Sequence, residues 1–169
     1  MHIAICDDEE TQAVWLGALA GRWGAARGRP CHIRAFASGE ELLFEMAGSY
    51  PVDLILLDID LGGGNLSGLE VARKIRRTDA RVALAFLTND SGCVFDGYEV
   101  AALRYLMKPM TEENLFPLLD LALEHITRTS RYVVLEVDGE QRRVEEDSII
   151  YLEARGHTVV VETASGPVE

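Results

Sequence analysis

The chain has 169 residues, 48% hydrophobic and 26% charged, an ordinary globular balance that excludes a disordered or fibrous protein and suits about one domain with a small appendage. Sixteen basic against twenty-eight acidic side chains give a net charge of −12, which repels a polyanion unless the basic groups gather on one face. No run reaches the roughly 18 apolar residues of a membrane span, and no signal-peptide pattern precedes the first strand, so a cytoplasmic protein without a membrane partner is expected.

In chain order, His2–Cys6 reads as a buried strand, and Glu10–Ala26 as a helix with Trp15, Leu16, Leu19 and Trp23 at helical spacing; both tryptophans are expected in the core. Ile33–Phe36 is a second strand, after which Ser38 and Glu41 form a capping-box pattern for a helix carrying Leu42, Leu43 and Met46. Val52–Leu57 is the most apolar strand and is followed by the glycine-rich stretch Gly62–Gly64 and a helix over Gly68–Arg77. Val82–Leu87 is a fourth strand. A weaker helix near Val94–Tyr98 leads to a short fifth strand over Leu103–Leu106, and Thr111 caps a long helix with Leu115, Leu118, Leu119, Ala122 and Ile126 on one stripe. The three cysteines, Cys6, Cys31 and Cys93, lack metal-ligand spacing and read as small buried hydrophobes in a reducing compartment.

Apolar strands alternating with helices predict a doubly wound α/β fold, a five-stranded parallel sheet covered on both faces. In such sheets the reactive groups collect beyond the carboxyl ends of the strands. Asp7 and Asp8 stand at the end of the first strand, Asp58 and Asp60 at the third, Thr88 at the fourth and Lys108 at the fifth. Lys74 and Lys108 are the only lysines, so a lysine at a strand end stands out. Each group alone has an ordinary explanation: acids cap helices, threonines do too, and a lysine is a surface charge. Their coincidence at four strand ends is what points to chemistry. Converging carboxylates stay ionised only if a cation holds them, and an oxygen-rich pocket without histidine suits Mg²⁺ or Mn²⁺ beside a phosphate oxygen. An aspartate nucleophile, with the Thr88 hydroxyl and Lys108 ammonium on the phosphoryl oxygens, is the reading that follows.

Ile5-Cys6-Asp7-Asp8-Glu9, Leu56-Leu57-Asp58-Ile59-Asp60, Leu87-Thr88 and Tyr105-Leu106-Met107-Lys108-Pro109 follow one another as in a known family: residues 1–128 resemble the receiver domain of two-component response regulators. The resemblance implies a flavodoxin-like sheet of strand order 2-1-3-4-5 and a phosphoacceptor signalling domain whose only chemistry is its own phosphorylation and dephosphorylation. It implies that Asp58 accepts a phosphoryl group from a sensor histidine kinase. It assigns Mg²⁺ to Asp8 directly, to Asp7 through water, to Asp58, and to the backbone carbonyl of Asp60. Thr88 and Lys108 then contact the phosphoryl group, and Tyr105 turns inward as Thr88 moves, with Lys108-Pro109 cis. It further implies a homodimer that phosphorylation strengthens, through the face of the fourth helix, fifth strand and fifth helix.

Two departures stand out. The glycine expected eight positions after Asp58 falls at Gly68, two later, with Gly62 in place of a proline, so the Gly62–Ser67 loop is longer. The residue two after the phosphoacceptor, Asp60, is acidic and lies where it can alter the lifetime of a phosphoaspartate.

Residues 131–169 alternate differently. Arg131–Val137, Gln141–Val144, Ile149–Glu153 and Thr158–Glu162 read as short strands, with a hairpin signal at Asp138-Gly139. The Val137-Asp138-Gly139, Ile149–Ala154 and Gly156–Val160 segments resemble the opening of a LytTR-type DNA-binding domain. A complete domain runs to about 100 residues, so a truncated chain or a natural fragment is expected. Four arginines against nine acids leave this segment at −5, so DNA binding is expected only of the complete C-terminal domain. Two alternatives are a pseudo-receiver that only binds partners, against which the full acid, threonine and lysine set stands, and a haloacid-dehalogenase-type phosphatase, whose Asp-x-Asp strand comes first rather than third.

Overall fold

The computed structural model describes residues 1–48, 50–62, 66–89, 100–129, 132–137, 140–155, 158–164 and 166–168. The helix expected near Val94–Tyr98, Cys93, part of the Gly62–Ser67 loop, the Asp138-Gly139 hairpin signal and His157 lie outside the described residues. The chain forms two compact units, Met1–Ile126 and Thr127–Glu169.

The first unit is a parallel sheet of β1 (His2–Cys6), β2 (His32–Phe36), β3 (Leu54–Asp58), β4 (Ala83–Thr88) and β5 (Arg104–Met107), in the order β2-β1-β3-β4-β5. Helices α1 (Glu10–Ala26), α2 (Gly39–Ala47), α3 (Gly68–Thr78) and α4 (Glu112–Thr129) complete it. This is the doubly wound arrangement that the sequence pattern predicts, in the strand order that the resemblance implies. Alternate side chains of each strand enter opposite cores. Ile3, Ile5, Leu54, Leu56, Ala85 and Leu87 pack with Leu16, Leu19 and Trp23 of α1 and Leu115, Leu118 and Leu119 of α4. Ala4, Cys6, Ile55, Leu57, Leu84 and Phe86 pack with Leu42 of α2 and Val71, Ala72 and Ile75 of α3. Both sheet faces are therefore dry, which is why the strands are nearly continuous apolar runs.

Ladder partners, rather than hydropathy, decide where the strands end. The third and fourth strands each run one residue beyond the apolar stretch, because Asp58 pairs with Leu87 and Thr88 with Met107 of the fifth. Asp58 and Thr88 thus belong to the sheet itself. The capping box expected at α2 is only half made: Ser38 Oγ accepts the Glu41 amide, but Glu41 Oε2 accepts from Ala37, not Ser38. The complete box belongs to α3, where Ser67 and Glu70 exchange both bonds.

Trp23 is fully buried, but Trp15 is 50% exposed, which corrects its expected core position. Its indole N–H donates to the Met110 carbonyl at 2.9 Å, and Arg22 lies over its ring while pairing with Glu112 at 2.8 Å. The same device recurs two turns along both helices. Trp23 Nε1 donates to Asp120 at 2.9 Å, and Arg27 stacks on Trp23 while binding Asp120 at 2.6 Å. A tryptophan's polar edge needs a partner, and that partner draws each ring toward α4.

The second unit contains an antiparallel pair, β6 (Tyr132–Val137) with β7 (Glu140–Glu145), and a three-stranded sheet of β8 (Ile149–Arg155), β9 (Thr158–Thr163) and β10 (Gly166–Val168) in the order β10-β9-β8. The strand Gly166–Val168 was not expected from the sequence: Pro167 hides it, and Thr163 Oγ1 donating to the Gly166 carbonyl closes its turn. Val137, Val144, Val160 and Val161 are buried, while Ile150, Tyr151, Leu152 and Val159 are exposed.

Hydrogen bonds from Arg27 hold the Asp120 carboxyl below its ordinary 3.8, against the smaller opposing effect of burial and with help from Trp23. A depressed carboxyl stabilises the fold above its unfolded pKa and loses that contribution as pH falls. Asp120 is 44% exposed, so solvent screens the pair. Asp120→Asn is expected to cost about 1 kcal/mol at neutral pH, with the difference from wild type shrinking as pH falls below the ordinary carboxyl value of 3.8, as read from urea midpoints across pH. A difference that persists at the acid end would refute the assignment.

Candidate functional site

The carboxyl ends of β1, β3 and β5 meet at one point. Asp7 and Asp58 are 2% and 4% exposed, although each follows an apolar strand, where an unpartnered carboxylate is costly. Lys108 supplies the partner. Its Nζ donates to Asp7 Oδ2 at 2.9 Å and to Asp58 Oδ2 at 2.7 Å, with the lysine side chain itself 3% exposed. The lysine backbone is held too, its amide donating to the Thr88 carbonyl at 2.9 Å. Thr88 is buried at the end of β4.

The remaining carboxylate oxygens are aimed by the backbone. Asp7 Oδ1 accepts the Glu9 amide at 2.9 Å and Asp58 Oδ1 the Asp60 amide at 3.2 Å. Asp8, which is exposed, accepts the Gly62 amide at 3.1 Å. Carboxylate oxygens of Asp7, Asp8 and Asp58 lie within 4.8 Å of one another, the one such acidic, cysteine or histidine cluster among the described residues. The carboxylate of Asp60 is not part of it; that residue contributes its amide to the Asp58 side chain.

Burial raises the Asp7 pKa, and the hydrogen bonds from Lys108 and Glu9 only partly offset that. Burial also works to strip the Lys108 proton, but the bonds to Asp58 and Asp7 overcome it and leave the pKa above 10.5, so the ammonium persists. Three carboxylates against this one ammonium leave two negative charges in the pocket. Oxygen donors alone, spread over a few ångströms with one exposed member, match a hard divalent cation held by one or two carboxylates and water. The group therefore fits Mg²⁺. Cys6, one residue before Asp7, is no competitor as a nucleophile: burial, then the charges of Asp7 and Asp58, push its thiol up to about 12.

Around this centre, Tyr105 on β5 packs against Phe86 with ring centroids 5.0 Å apart, within the second core. Two glycines make room for the acids. A Cβ at Gly62 would come within 2.9 Å of Asp8 Oδ2, and one at Gly68 would overlap the Asp58 carbonyl. Gly68 also donates its amide to Ile59 at 3.0 Å, so α3 begins in contact with the loop that carries Asp58.

The residues singled out from the sequence thus divide. Asp7, Asp8, Asp58 and Lys108 converge, Thr88 and Tyr105 stand on the neighbouring strands β4 and β5, and Asp60 takes part through its backbone. Gly62 and Trp15 were not foreseen as parts of this region, since backbone amides and a ring edge leave no sequence signal. The Ser67-x-x-Glu70 pattern that starts α3 was legible and marks where the long loop ends.

Residues 3–120 match the response regulator receiver domain model. The chain belongs to the response regulator receiver family. This receiver is 31% identical over 115 residues to the positive alginate biosynthesis regulatory protein of Pseudomonas aeruginosa, covering 68% of this chain and 44% of that protein. It is 27% identical over 143 residues to the sensory transduction protein LytT of Oceanobacillus iheyensis, covering 78% of this chain and 55% of that one. The chain therefore spans about half the length of these curated relatives. Among solved structures, the N-terminal domain of a response regulator/sensory box/GGDEF protein from Carboxydothermus hydrogenoformans is 27% identical with a TM-score of 0.66, over 76% of this chain and 98% of that one. The response regulator TrrA of Thermotoga maritima, solved with Mg²⁺ and BeF, is 28% identical with a TM-score of 0.57, over 74% and 97% of the two chains. Among the described residues of this receiver, no helix is long and apolar enough to cross a membrane.

Because the Gly68 Cα faces the Asp58 carbonyl, Gly68→Ala is expected to push α3 away from the loop and destabilise the receiver by about 1–3 kcal/mol. Denaturant titration reads this directly, and a midpoint equal to wild type would contradict the close contact.

Proposed function

We propose that Asp58 is the phosphoacceptor of a two-component phosphorelay and that a sensor histidine kinase is its donor. The observation that carries this reading is the Lys108 ammonium held between Asp7 and Asp58 in a pocket that retains two negative charges. A carboxylate oxygen of Asp58 forms the new O–P bond while the P–N bond to the kinase histidine breaks, the imidazole leaving with the bonding pair. Lys108, already within hydrogen-bond distance of Asp58, neutralises charge on a phosphoryl oxygen, and the Thr88 hydroxyl donates to another. Mg²⁺ or Mn²⁺, held by Asp8, Asp7, Asp58 and the Asp60 carbonyl, would screen the charge between the carboxylates and the phosphoryl group. The same residues serve hydrolysis, so the protein's chemistry is its own phosphorylation and dephosphorylation. Tyr105, already packed inward against Phe86, is held there when Thr88 moves toward the phosphoryl group.

The output follows from the second unit. We assign residues 131–169 to the opening strands of a LytTR-type effector that follows a receiver at 1–128. Support comes from the consecutive antiparallel pairs β6–β7, β8–β9 and β9–β10 in this segment and from the similarity of the chain to LytT sensory transduction proteins. DNA contact belongs to the complete effector. Phosphorylation strengthens a homodimer through the face made by β5, α4 and the segment before β5. The protein acts in the cytoplasm.

Incubation with Mg²⁺ and acetyl phosphate should place one phosphoryl group on Asp58, located by mass spectrometry after borohydride reduction, and Asp58→Asn should take up none. Label that survives in Asp58→Asn would sink the assignment. Sedimentation with and without beryllium fluoride tests the dimer; identical profiles would remove it.

A further inference from the structure

On the α2–α3 side of the sheet, at the opposite end of the strands from Asp58, a half-enclosed cleft of about 430 Å³ opens between the two helices. Leu43, Met46, Tyr50, Val52 and Ile75 give it an apolar lining, with Lys74 at the rim. Phe44, on α2 beside this cleft, is 78% exposed, the highest value among the large exposed apolar side chains described. A helical neighbour of Phe44 three residues on, Ala47, lines the same cleft. The two helices are oppositely charged. α2 carries Glu40, Glu41 and Glu45, whereas α3 carries Arg73, Lys74, Arg76 and Arg77 against the single acid Glu70. Some of these are engaged internally: Glu45 binds Arg34, and Arg76 donates to the carbonyls of Val100, Asp79 and Val82. Among the described residues, Lys74 and Arg77 are exposed and enter no ion pair.

We infer that this face docks a second copy of the chain across a two-fold axis, with Phe44 of each copy entering the α2–α3 cleft of the other and the acidic α2 of one lying against the basic α3 of its partner. Isologous contacts require one patch to hold both halves of every complementary pair. This patch holds a protruding aromatic beside an apolar cleft and an acidic helix beside a basic one. An acidic partner would suit α3 and be repelled by α2, a basic partner the reverse, and a polyanion meets a chain of net charge −12. A copy turned through 180° satisfies both helices at once. One aromatic anchor ringed by screened charges makes a small, weak interface, with a dissociation constant in roughly the micromolar range. The face excludes β5 and α4, and the cleft that receives Phe44 lies at the opposite end of the strands from the Asp58 pocket, so this association does not depend on phosphorylation.

Sedimentation velocity of the whole chain from about 1 to about 200 µM, without phosphoryl donor, tests it. Wild type and Asp58→Asn should both shift from monomer to dimer with concentration. Phe44→Asp should weaken the dimer at least about tenfold, and Lys74→Glu should weaken it by a smaller factor, both keeping the wild-type unfolding midpoint because the side chains are exposed. A chain that stays monomeric throughout overturns the inference, as does a dimer whose strength Phe44→Asp leaves unchanged. A dimer that forms only with beryllium fluoride also overturns it, without touching the reading of Asp58.

Discussion

The Lys108 ammonium, 2.7 and 2.9 Å from two buried carboxylates, is the interaction on which the first unit depends. It joins the ends of three strands, β1, β3 and β5, that are far apart in the chain, and it makes burial of Asp7 and Asp58 tolerable. A buried ion pair contributes little net stability, yet removing one partner leaves an uncompensated charge and costs about 3–5 kcal/mol. The lysine thus matters less as a source of stability than as the group that fixes where the acids point. One ammonium among three carboxylates leaves the pocket short of two positive charges, a balance that a divalent ion at this oxygen cluster would close.

The rest of the unit serves this arrangement. Dry packing on both sheet faces keeps the strand ends in register, so that Asp58 and Thr88 close their ladders beside Leu87 and Met107. Close contacts at Gly62 and Gly68 let the backbone reach the acids from below the loops. On the other side, Trp15 holds the Met110 carbonyl two residues beyond Lys108, so that the lysine's loop is tied to α1 by a hydrogen bond.

The two helical layers differ in how they are finished. The α1–α4 layer is closed by two repeated sets of tryptophan, arginine and acid, each using a ring face for a cation and a ring edge for an acceptor. The α2–α3 layer has one comparable set, Arg34 lying over the Phe36 and Tyr50 rings while pairing with Glu45 of α2, and beside it a cleft, an exposed phenylalanine and oppositely charged helices.

The sequence by itself determined the fold class, because apolar runs too short for helices, separated by amphipathic stretches, admit few arrangements other than a parallel sheet covered on both sides. It also located Asp7, Asp8, Asp58, Thr88 and Lys108, because strand ends are visible where an apolar run stops at a polar residue. The tertiary structure alone decided which oxygen meets which hydrogen. Lys108 bridging Asp7 and Asp58, Gly62 donating to Asp8, Asp60 acting through its amide, and Trp15 standing half in solvent to hold Met110 all join positions 2 to 101 residues apart. Periodicity records which face of an element is buried, whereas a hydrogen bond across the fold depends on the register and spacing of strands that only the packed sheet sets.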